Sequence, residues 1–301
     1  MKTIDIKCLL FPLLVLLAVA LPLTGCAQPG PAVPGAEPSG SIKIIGSNTV
    51  TPLTFVWAEE FMKVNHRVRI AVSGPGSGAG IAALINGTAD ICQTSREIKA
   101  REIEQAEANG ITPQEIAVAT DTLAVTVHPA NPVTELTFAQ ISAIYTNQVS
   151  NWKELGGNDA PIVALARDTS SGTHVYFKER VVQMEGLPTQ DKSLEYGTEV
   201  LFLPSTEEGM AELARNPNAI FYPGLGYLTD EVKSLGIKKT AEDASVLPSM
   251  ETALDGSYPI ARPLLYYTDG EPAGIIKGFI DYCLSPEGQQ KVIDVGYVPL
   301  K

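Results

Sequence analysis

The chain has 301 residues and an acidic composition, with 22 Lys and Arg residues against 34 Asp and Glu residues and a formal net charge of −12. This balance argues against a nucleic-acid binder, because phosphodiester binding needs a basic field. The hydrophobic fraction of 45%, with 26 Gly and 22 Pro, excludes a disordered or fibrous chain and allows one large or two ordinary domains. The acidic total also argues, at first sight, against an anionic ligand.

The first 25 residues are predicted to be an export signal. Lys2 and Lys7 precede an uncharged run at 8–23, which is short for a membrane-spanning helix and ends in small residues. The tetrapeptide LTGC, which ends at Cys26, resembles a bacterial lipobox. We therefore expect Cys26 to carry a lipid anchor as the first residue of the mature chain. An ordinary signal followed by a chance cysteine is the alternative.

The segment after the predicted cleavage point is expected to be a tether. Residues 26–40 are rich in proline and glycine and lack apolar periodicity, which predicts a flexible, lipid-anchored linker. The domain that follows, residues 41–301, contains Cys92 and Cys283. An exported protein permits a disulfide between them, but we expect two separate buried thiols.

From residue 41 onward, apolar strand-type runs alternate with helical patterns. Strands are predicted at 42–45, 68–72, 123–127 and 162–166. Helices are predicted from a cap at Thr51, from 81, at 137–145, at 152–155, at 175–184 and at 275–283, with a last one opened by 285–287. This order predicts an α/β fold with a parallel or mixed sheet covered by helices.

Three predicted strands end in small, hydroxyl-rich turns that lead into helices. The turns are GSNT at 46–49, SGPGSGAG at 73–80 and RDTSSGT at 167–173. Helix N-termini present free N–H groups, glycine lets a ligand approach the backbone, and hydroxyls add donors, so each turn is a potential anion site. Arg167 adds a planar cation, and another loop offers Ser95 beside Arg96. One such turn is ordinary capping chemistry, whereas three together with an arginine favour a binding site.

Other functional motifs are excluded. The glycines match neither GxGxxG nor GK[ST], so no nucleotide cofactor is indicated. The three histidines lack metal-ligand spacing, and the SxxK match at 150–153 has no companion motif. We therefore expect no metal, no cofactor and no enzymatic activity.

The chain resembles, over residues 41–301, the substrate-binding lipoproteins of phosphate ABC importers. The segments that carry the resemblance are, in chain order, GSNTVTPL, GSGAGIAALINGTADI, TSRE, ATDTLAVTVHPANPV, LTFAQISAIYTNQVSNW, RDTSSGT and YPIARPL. The resemblance implies a two-lobed periplasmic-binding-protein fold, in which two hinge strands join the lobes and the ligand lies between them. Lobe one would be 41–121 plus 262–301, lobe two 122–261, and the hinge strands would fall near 120–125 and 259–265.

The resemblance also implies a set of ligand-binding residues. They are Ser47, Asn48, Thr49, Val50, Ser77, Gly78, Ser95, Arg96, Arg167, Ser171, Gly172 and Thr173. Some family members have an aspartate after the serine of the TSRE loop, where it accepts a proton from hydrogen phosphate; this chain has Arg96 there. In one alternative Arg96 faces the ligand, with Glu97 or Asp121 as the acceptor. In the other, Arg96 forms a structural salt bridge with Glu97 or Asp121.

The expected function is that of an extracytoplasmic receptor, anchored by lipid to the cell envelope, that captures inorganic phosphate for an ABC permease. We expect a monomer that does not bind nucleic acid. Alternatives are the same fold tuned to sulfate, molybdate or tungstate, a secreted phosphatase, and a sensor or adhesion module. The acidic total does not exclude an anion, because net charge is screened beyond ~8 to 10 Å whereas the site would use local donors.

Overall fold

Strands alternate with helices along residues 38–300, the part of the chain that the computed structural model describes. The predicted export signal at 1–25, the predicted anchor at Cys26 and most of the predicted linker lie outside these residues. The strands are β1 Ser39–Gly46, β2 Arg67–Ser73, β3 Ile91–Thr94, β4 Pro113–Thr122, β5 Thr126–Val127, β6 Glu135–Thr137, β7 Val163–Arg167, β8 Leu201–Leu203, β9 Ala219–Phe221, β10 Lys233–Ser234, β11 Gly236–Lys238 and β12 Ala261–Asp269.

The helices pack against these strands. They are α1 Thr51–Val64, α2 Ser77–Ile85, α3 Ala100–Ala108, α4 Phe138–Tyr145, α5 Gly172–Phe177, α6 Thr206–Arg215, α7 Met250–Leu254, α8 Gly274–Leu284 and α9 Pro286–Asp294, with 3₁₀ turns at Trp152–Leu155 and Leu225–Tyr227 and a π turn at Lys178–Val182. None of the helices in 38–300 combines the length and apolarity needed to cross a membrane.

Most of the predicted elements are confirmed, with three corrections at their ends. Thr51 is the first helical residue of α1 rather than its cap, and its Oγ1 donates back to the carbonyl of Ser47 (2.9 Å). Helix α2 begins at Ser77, four residues before the predicted start. The strand predicted at 123–127 is reduced to β5, because Leu123 instead donates its N–H to Ile260 O (2.9 Å) where the chain passes between the two sheets.

Two five-stranded mixed sheets form the framework. The first has the order β2-β1-β3-β12-β4, with β1, β2 and β3 parallel and β12 antiparallel to both of its neighbours. The second has the order β10-β5-β9-β7-β8, with β7 parallel to β8 and β9. Each sheet has its own buried hydrophobic cluster, around Trp57 and Phe279 in the first and around Phe138 and Tyr222 in the second. This is the α/β, two-lobed architecture that the sequence predicts.

Two adjacent chain segments connect the sheets. Strand β4 pairs antiparallel with β12, which places Asp121 directly opposite Arg262. Beyond this pair, one segment continues into β5, and the other arrives from α7. The connection thus lies at the positions where the sequence predicts the hinge strands, 120–125 and 259–265.

The two cysteines of the described domain are separate. Cys92 and Cys283 are both buried and both free. Burial raises the pKa of each thiol far above its ordinary value, so both are neutral small apolar side chains at physiological pH. The prediction of two separate buried thiols is confirmed.

Candidate anion-binding site

Five hydroxyl groups meet where the turns that follow β1, β2 and β3 contact the turn that follows β7. Ser47 Oγ donates to Ser95 Oγ (3.0 Å), and Ser77 Oγ lies 3.4 Å from the same Ser95 oxygen. Thr49 Oγ1 lies 3.0 Å from Thr173 Oγ1, and this contact joins the two sheets. We call Ser47, Thr49, Ser77, Ser95 and Thr173 the hydroxyl cluster. Each of these residues is at most 4% exposed, so the cluster is a buried group of rotatable donors and acceptors at strand carboxyl ends.

The turn after β1 is closed by its own backbone and side chain. The N–H of Thr51 donates to the carbonyl of Ser47 (3.1 Å), and the N–H of Val50 donates to Ser47 Oγ (3.4 Å). These bonds start α1 and fix the Ser47 hydroxyl under the helix N-terminus, where free N–H groups are expected. Asn48 and Thr49, between them, point toward the second sheet and bond to Arg167 and Thr173.

The turn after β7 approaches the first sheet closely because of a glycine. A Cβ at Gly172 would lie 2.3 Å from Ser77 Oγ and 2.7 Å from Ser95 Oγ, distances that a side chain cannot occupy. The neighbouring Ser171 caps α5 by accepting from the N–H of Thr173 (3.1 Å). Gly172 therefore brings the second sheet into contact with the hydroxyl cluster.

A further bond links the same turns through the backbone. The N–H of Gly78 donates to the carbonyl of Ser170 (3.1 Å). The preceding Gly76 is the N-cap of α2 with a φ of 121°, a left-handed conformation that glycine adopts without strain. The GSGAG segment at 76–80 thus holds the two turns in contact in addition to starting α2.

Arg167 is buried beside this contact, and its guanidinium is held by the loop between β8 and α6. Nη2 donates to Pro204 O (2.8 Å), and Nε donates to Leu203 O (3.4 Å). Nη1 donates to Thr206 Oγ1 (2.8 Å) and to Asn48 Oδ1 (3.1 Å). Burial lowers the pKa of Arg167, and the network connects this arginine to the first turn through Asn48.

Arg96 does not join the hydroxyl cluster, and its contacts favour the alternative in which it forms a structural salt bridge. Its guanidinium forms a two-pronged salt bridge with Glu102 on α3, with Nη1 to Oε2 at 2.8 Å and Nη2 to Oε1 at 2.7 Å. Nη1 also donates to the carbonyl of Glu97 (2.8 Å). Arg96 thus forms a salt bridge, as one alternative predicts, but with Glu102 rather than with Glu97 or Asp121. Glu102 was not considered because α3 was not predicted from the sequence.

A second guanidinium does touch the cluster, and sequence reasoning missed it. Arg262 Nη2 donates to Thr173 Oγ1 (2.7 Å) and to Asp121 Oδ2 (2.8 Å), and Nε donates to the same carboxylate oxygen (3.2 Å). Both members of this salt bridge are buried, with side chains 1% and 0% exposed. The signal was present in the sequence, since both residues lie in the predicted hinge strands, but their pairing depends on the strand register.

The structure brings most of the predicted site residues to one place. Side chains meet at Ser47, Asn48, Thr49, Ser77, Ser95, Arg167 and Thr173, and backbone or capping groups are supplied beside them by Val50, Gly78, Ser171 and Gly172. The arrangement is rich in hydrogen-bond donors, and its hydroxyls are buried, so it is suited to an oxyanion.

The fold and this site define a class of binding protein. The model of the PBP superfamily domain matches residues 31–287. The structure is similar to that of a Clostridium perfringens protein described as a phosphate ABC transporter substrate-binding protein and solved with bound phosphate. The TM-score is 0.77 at 34% identity, covering 87% of this chain and 100% of that one. An ABC-type phosphate transport receptor from Vibrio cholerae gives a TM-score of 0.70 at 29% identity, with 86% and 100% covered.

Curated relatives show to which family within this superfamily the chain belongs. The phosphate-binding protein PstS of Pseudomonas aeruginosa is 33% identical over 279 residues, which cover 87% of this chain and 84% of that protein. PstS of Bacillus subtilis is 32% identical over 268 residues, with 87% and 81% covered. The chain belongs to the PBP superfamily and, within it, to the family of these PstS substrate-binding proteins.

Proposed function

We propose that the chain captures inorganic phosphate outside the cytoplasm and delivers it to an ABC permease. The observation that carries this proposal is the hydroxyl cluster, in which five buried hydroxyls from both sheets meet beside buried guanidinium groups. Each hydroxyl can rotate its proton toward a ligand oxygen, and such bonds are stronger in a dry site than in water. Membership of the PstS family supports phosphate as the anion. The chain is a binding protein and not an enzyme.

The proposed phosphate ligands follow from these contacts. They are the side chains or N–H groups of Ser47, Asn48, Thr49, Val50, Ser77, Gly78, Ser95, Arg167, Ser171, Gly172 and Thr173; Arg96 is removed from the set. We propose that lobe one is 41–121 plus 262–301 and that lobe two is 122–261. This division is supported by the paired strands β4 and β12 of the first sheet, since the chain leaves β4 toward β5 of the second sheet and returns to β12 from α7. Closure of the lobes on the anion would be a hinge motion about these strands.

We further propose that a lipid on Cys26 anchors a monomeric receptor to the membrane through the linker at 26–40. The LTGC tetrapeptide supports the anchor. Labelling of the expressed protein with a radioactive fatty acid, compared with its Cys26→Ala variant, tests it; a label that survives the substitution would refute it.

A thermal-shift panel of phosphate, arsenate, sulfate, molybdate and tungstate tests the main proposal. A ligand at a thousand times its Kd adds ~4 kcal/mol to the free energy of unfolding, so phosphate should raise the Tm clearly. A shift with sulfate, molybdate or tungstate but none with phosphate would replace phosphate with that anion. Turnover of p-nitrophenyl phosphate would instead indicate a phosphatase.

Arg167 offers a direct test by substitution. Arg167→Gln removes a buried, charge-assisted donor and should weaken phosphate binding by about 2–5 kcal/mol in calorimetry. The matched control is Arg215→Gln, since Arg215 pairs with Glu212 on an exposed face of α6. Equal affinities in the two variants would remove Arg167 from the site.

A further inference from the structure

Arg262 and Asp121 form a buried salt bridge where the two sheets are connected. Asp121 lies on β4 and Arg262 directly opposite on β12, and both side chains are almost wholly shielded from solvent. Removing both charges from water is unfavourable, so a buried pair of this kind is weak evidence for a stabilising role. Its position beside the hydroxyl cluster suggests that the pair is buried there for binding rather than for stability.

The guanidinium of Arg262 bridges the carboxylate and the cluster. Nη2 donates both to Asp121 Oδ2 (2.8 Å) and to Thr173 Oγ1 (2.7 Å). Thr173, in the turn after β7, in turn contacts Thr49 in the turn after β1. Two consecutive hydrogen bonds therefore join Arg262 to the turn after β1 through a residue of the second sheet's turn. The ring of Tyr176, 5.2 Å from Arg262 Cζ, lies against the guanidinium and helps to fix its plane.

Arg262 has a guanidinium nitrogen without a hydrogen-bond acceptor in the described part of the chain, whereas every guanidinium nitrogen of Arg167 has one. In Arg167, Nε, Nη1 and Nη2 all have acceptors, and Nη1 has two. In Arg262, Nη1 is buried and has no acceptor among residues 38–300. A buried N–H pair without an acceptor is unfavourable, and an oxyanion beside Thr173 would supply one.

We propose that Arg262 is a phosphate-binding residue, the second guanidinium of the site, and that Asp121 is the positioning residue that holds it there. The inference rests on the proposed function. Asp121 accepts from both Nε and Nη2, which fixes that edge of the guanidinium. The second Nη2 proton is donated to Thr173, and Nη1 is left for an anion. Its negative charge also offsets one positive charge, so the buried site is not left with two uncompensated arginines.

The experiment measures phosphate binding by calorimetry on the full-length protein and on five variants. Asp121→Asn/Arg262→Gln removes both charges and leaves no unpaired buried ion, so it should fold; its phosphate affinity should fall by at least about 30-fold. Arg262→Lys keeps the charge but loses the planar fork, and should lose about tenfold. The matched control is Arg96→Gln, which breaks the other arginine–carboxylate pair and should change affinity by less than about twofold.

The role of Asp121 is separated from that of Arg262 by a double-mutant cycle. Asp121→Asn should weaken phosphate binding in the wild-type background and have no further effect in the Arg262→Gln background, because it acts only through that guanidinium. Equal effects in both backgrounds would indicate a structural role only.

The outcomes distinguish this inference from the proposed function. Wild-type protein that fails to bind phosphate overturns both. Wild-type protein that binds phosphate, together with an unchanged affinity in the folded double variant, overturns the role of Arg262 alone. Should the double variant not fold, Arg262→Lys decides, and an affinity equal to that of Arg96→Gln would overturn the inference.

Discussion

Two arginine–carboxylate pairs with nearly equal lengths have very different surroundings. Arg96 and Glu102, 2.7 Å apart, are six residues apart in sequence, and their side chains are 10% and 24% exposed. Arg262 and Asp121, 2.8 Å apart, are 141 residues apart and are 1% and 0% exposed. The first pair ties a loop to the helix that follows it, whereas the second contacts the hydroxyl cluster from the strands that connect the sheets.

This difference shows why proximity to a motif is a poor guide to the site. Arg96 immediately follows Ser95, a member of the hydroxyl cluster, yet its side chain is directed to Glu102. Arg262 belongs to no glycine-hydroxyl turn, yet its guanidinium bonds to Thr173. The position of the Arg262 side chain depends on strand register, because the pairing of β4 with β12 places Asp121 opposite Arg262.

The largest effect is expected from breaking the buried pair on one side only. Arg262→Met leaves the Asp121 carboxylate buried without its partner and should lower the free energy of unfolding by about 3–5 kcal/mol in urea denaturation. Replacing both partners, as in Asp121→Leu/Arg262→Met, should recover most of that loss. A loss below 1 kcal/mol in the single variant would mean that water reaches the pair and that the two arginine pairs are equivalent.

A smaller effect is expected where the sheets approach. Gly172→Ala places a Cβ within 2.3 Å of Ser77 Oγ and should lower stability by about 1–3 kcal/mol through overpacking. It should also weaken phosphate binding, because the two turns must move apart. In the control, Gly278→Ala on α8, the nearest atom to the new Cβ is 3.8 Å away, and a small gain is expected. Unchanged binding by Gly172→Ala would show that the close approach is not needed.

The strands and turns that were predictable from the sequence have clear local signals. Apolar runs predict β1, β2 and β7, and the hydroxyl-rich turns after them contact one another in the structure. Helix α3, by contrast, has the sequence AREIEQAEA, in which Ala106 is the only buried residue. Its strong helix formers are a local signal that sequence reasoning missed, and the partner of Arg96 was missed with the helix.

The pairing of Asp121 with Arg262 escaped prediction for a different reason. It depends on the register of two antiparallel strands, and this register shifts at a bulge between Leu264 and Leu265. A bulge changes which residues face each other, and no residue in either strand marks it. The sequence therefore predicts which turns build the site but not which arginine contacts it from the hinge.

The smallest effect on stability is expected from the less deeply buried pair, Arg96 with Glu102, and this effect depends on pH. Burial by itself would raise the pKa of Glu102. Hydrogen bonds from Arg96 and from the Lys99 N–H, together with the positive charges of both residues, outweigh burial, so the pKa lies below its ordinary value. The carboxylate therefore stabilises the folded state fully above its unfolded pKa of about 4.3, and this contribution is lost as the pH falls through the folded value.

Glu102→Gln should accordingly cost at most about 1 kcal/mol at pH 7, and the difference from wild type should shrink below about pH 4. Urea denaturation at pH 7, 5, 4 and 3 measures both quantities, and phosphate affinity at pH 7 should not change. A difference that persists at pH 3 would mean that the carboxylate contributes through packing rather than charge. A loss of phosphate affinity would return Arg96 to the site and remove the contrast between the two pairs.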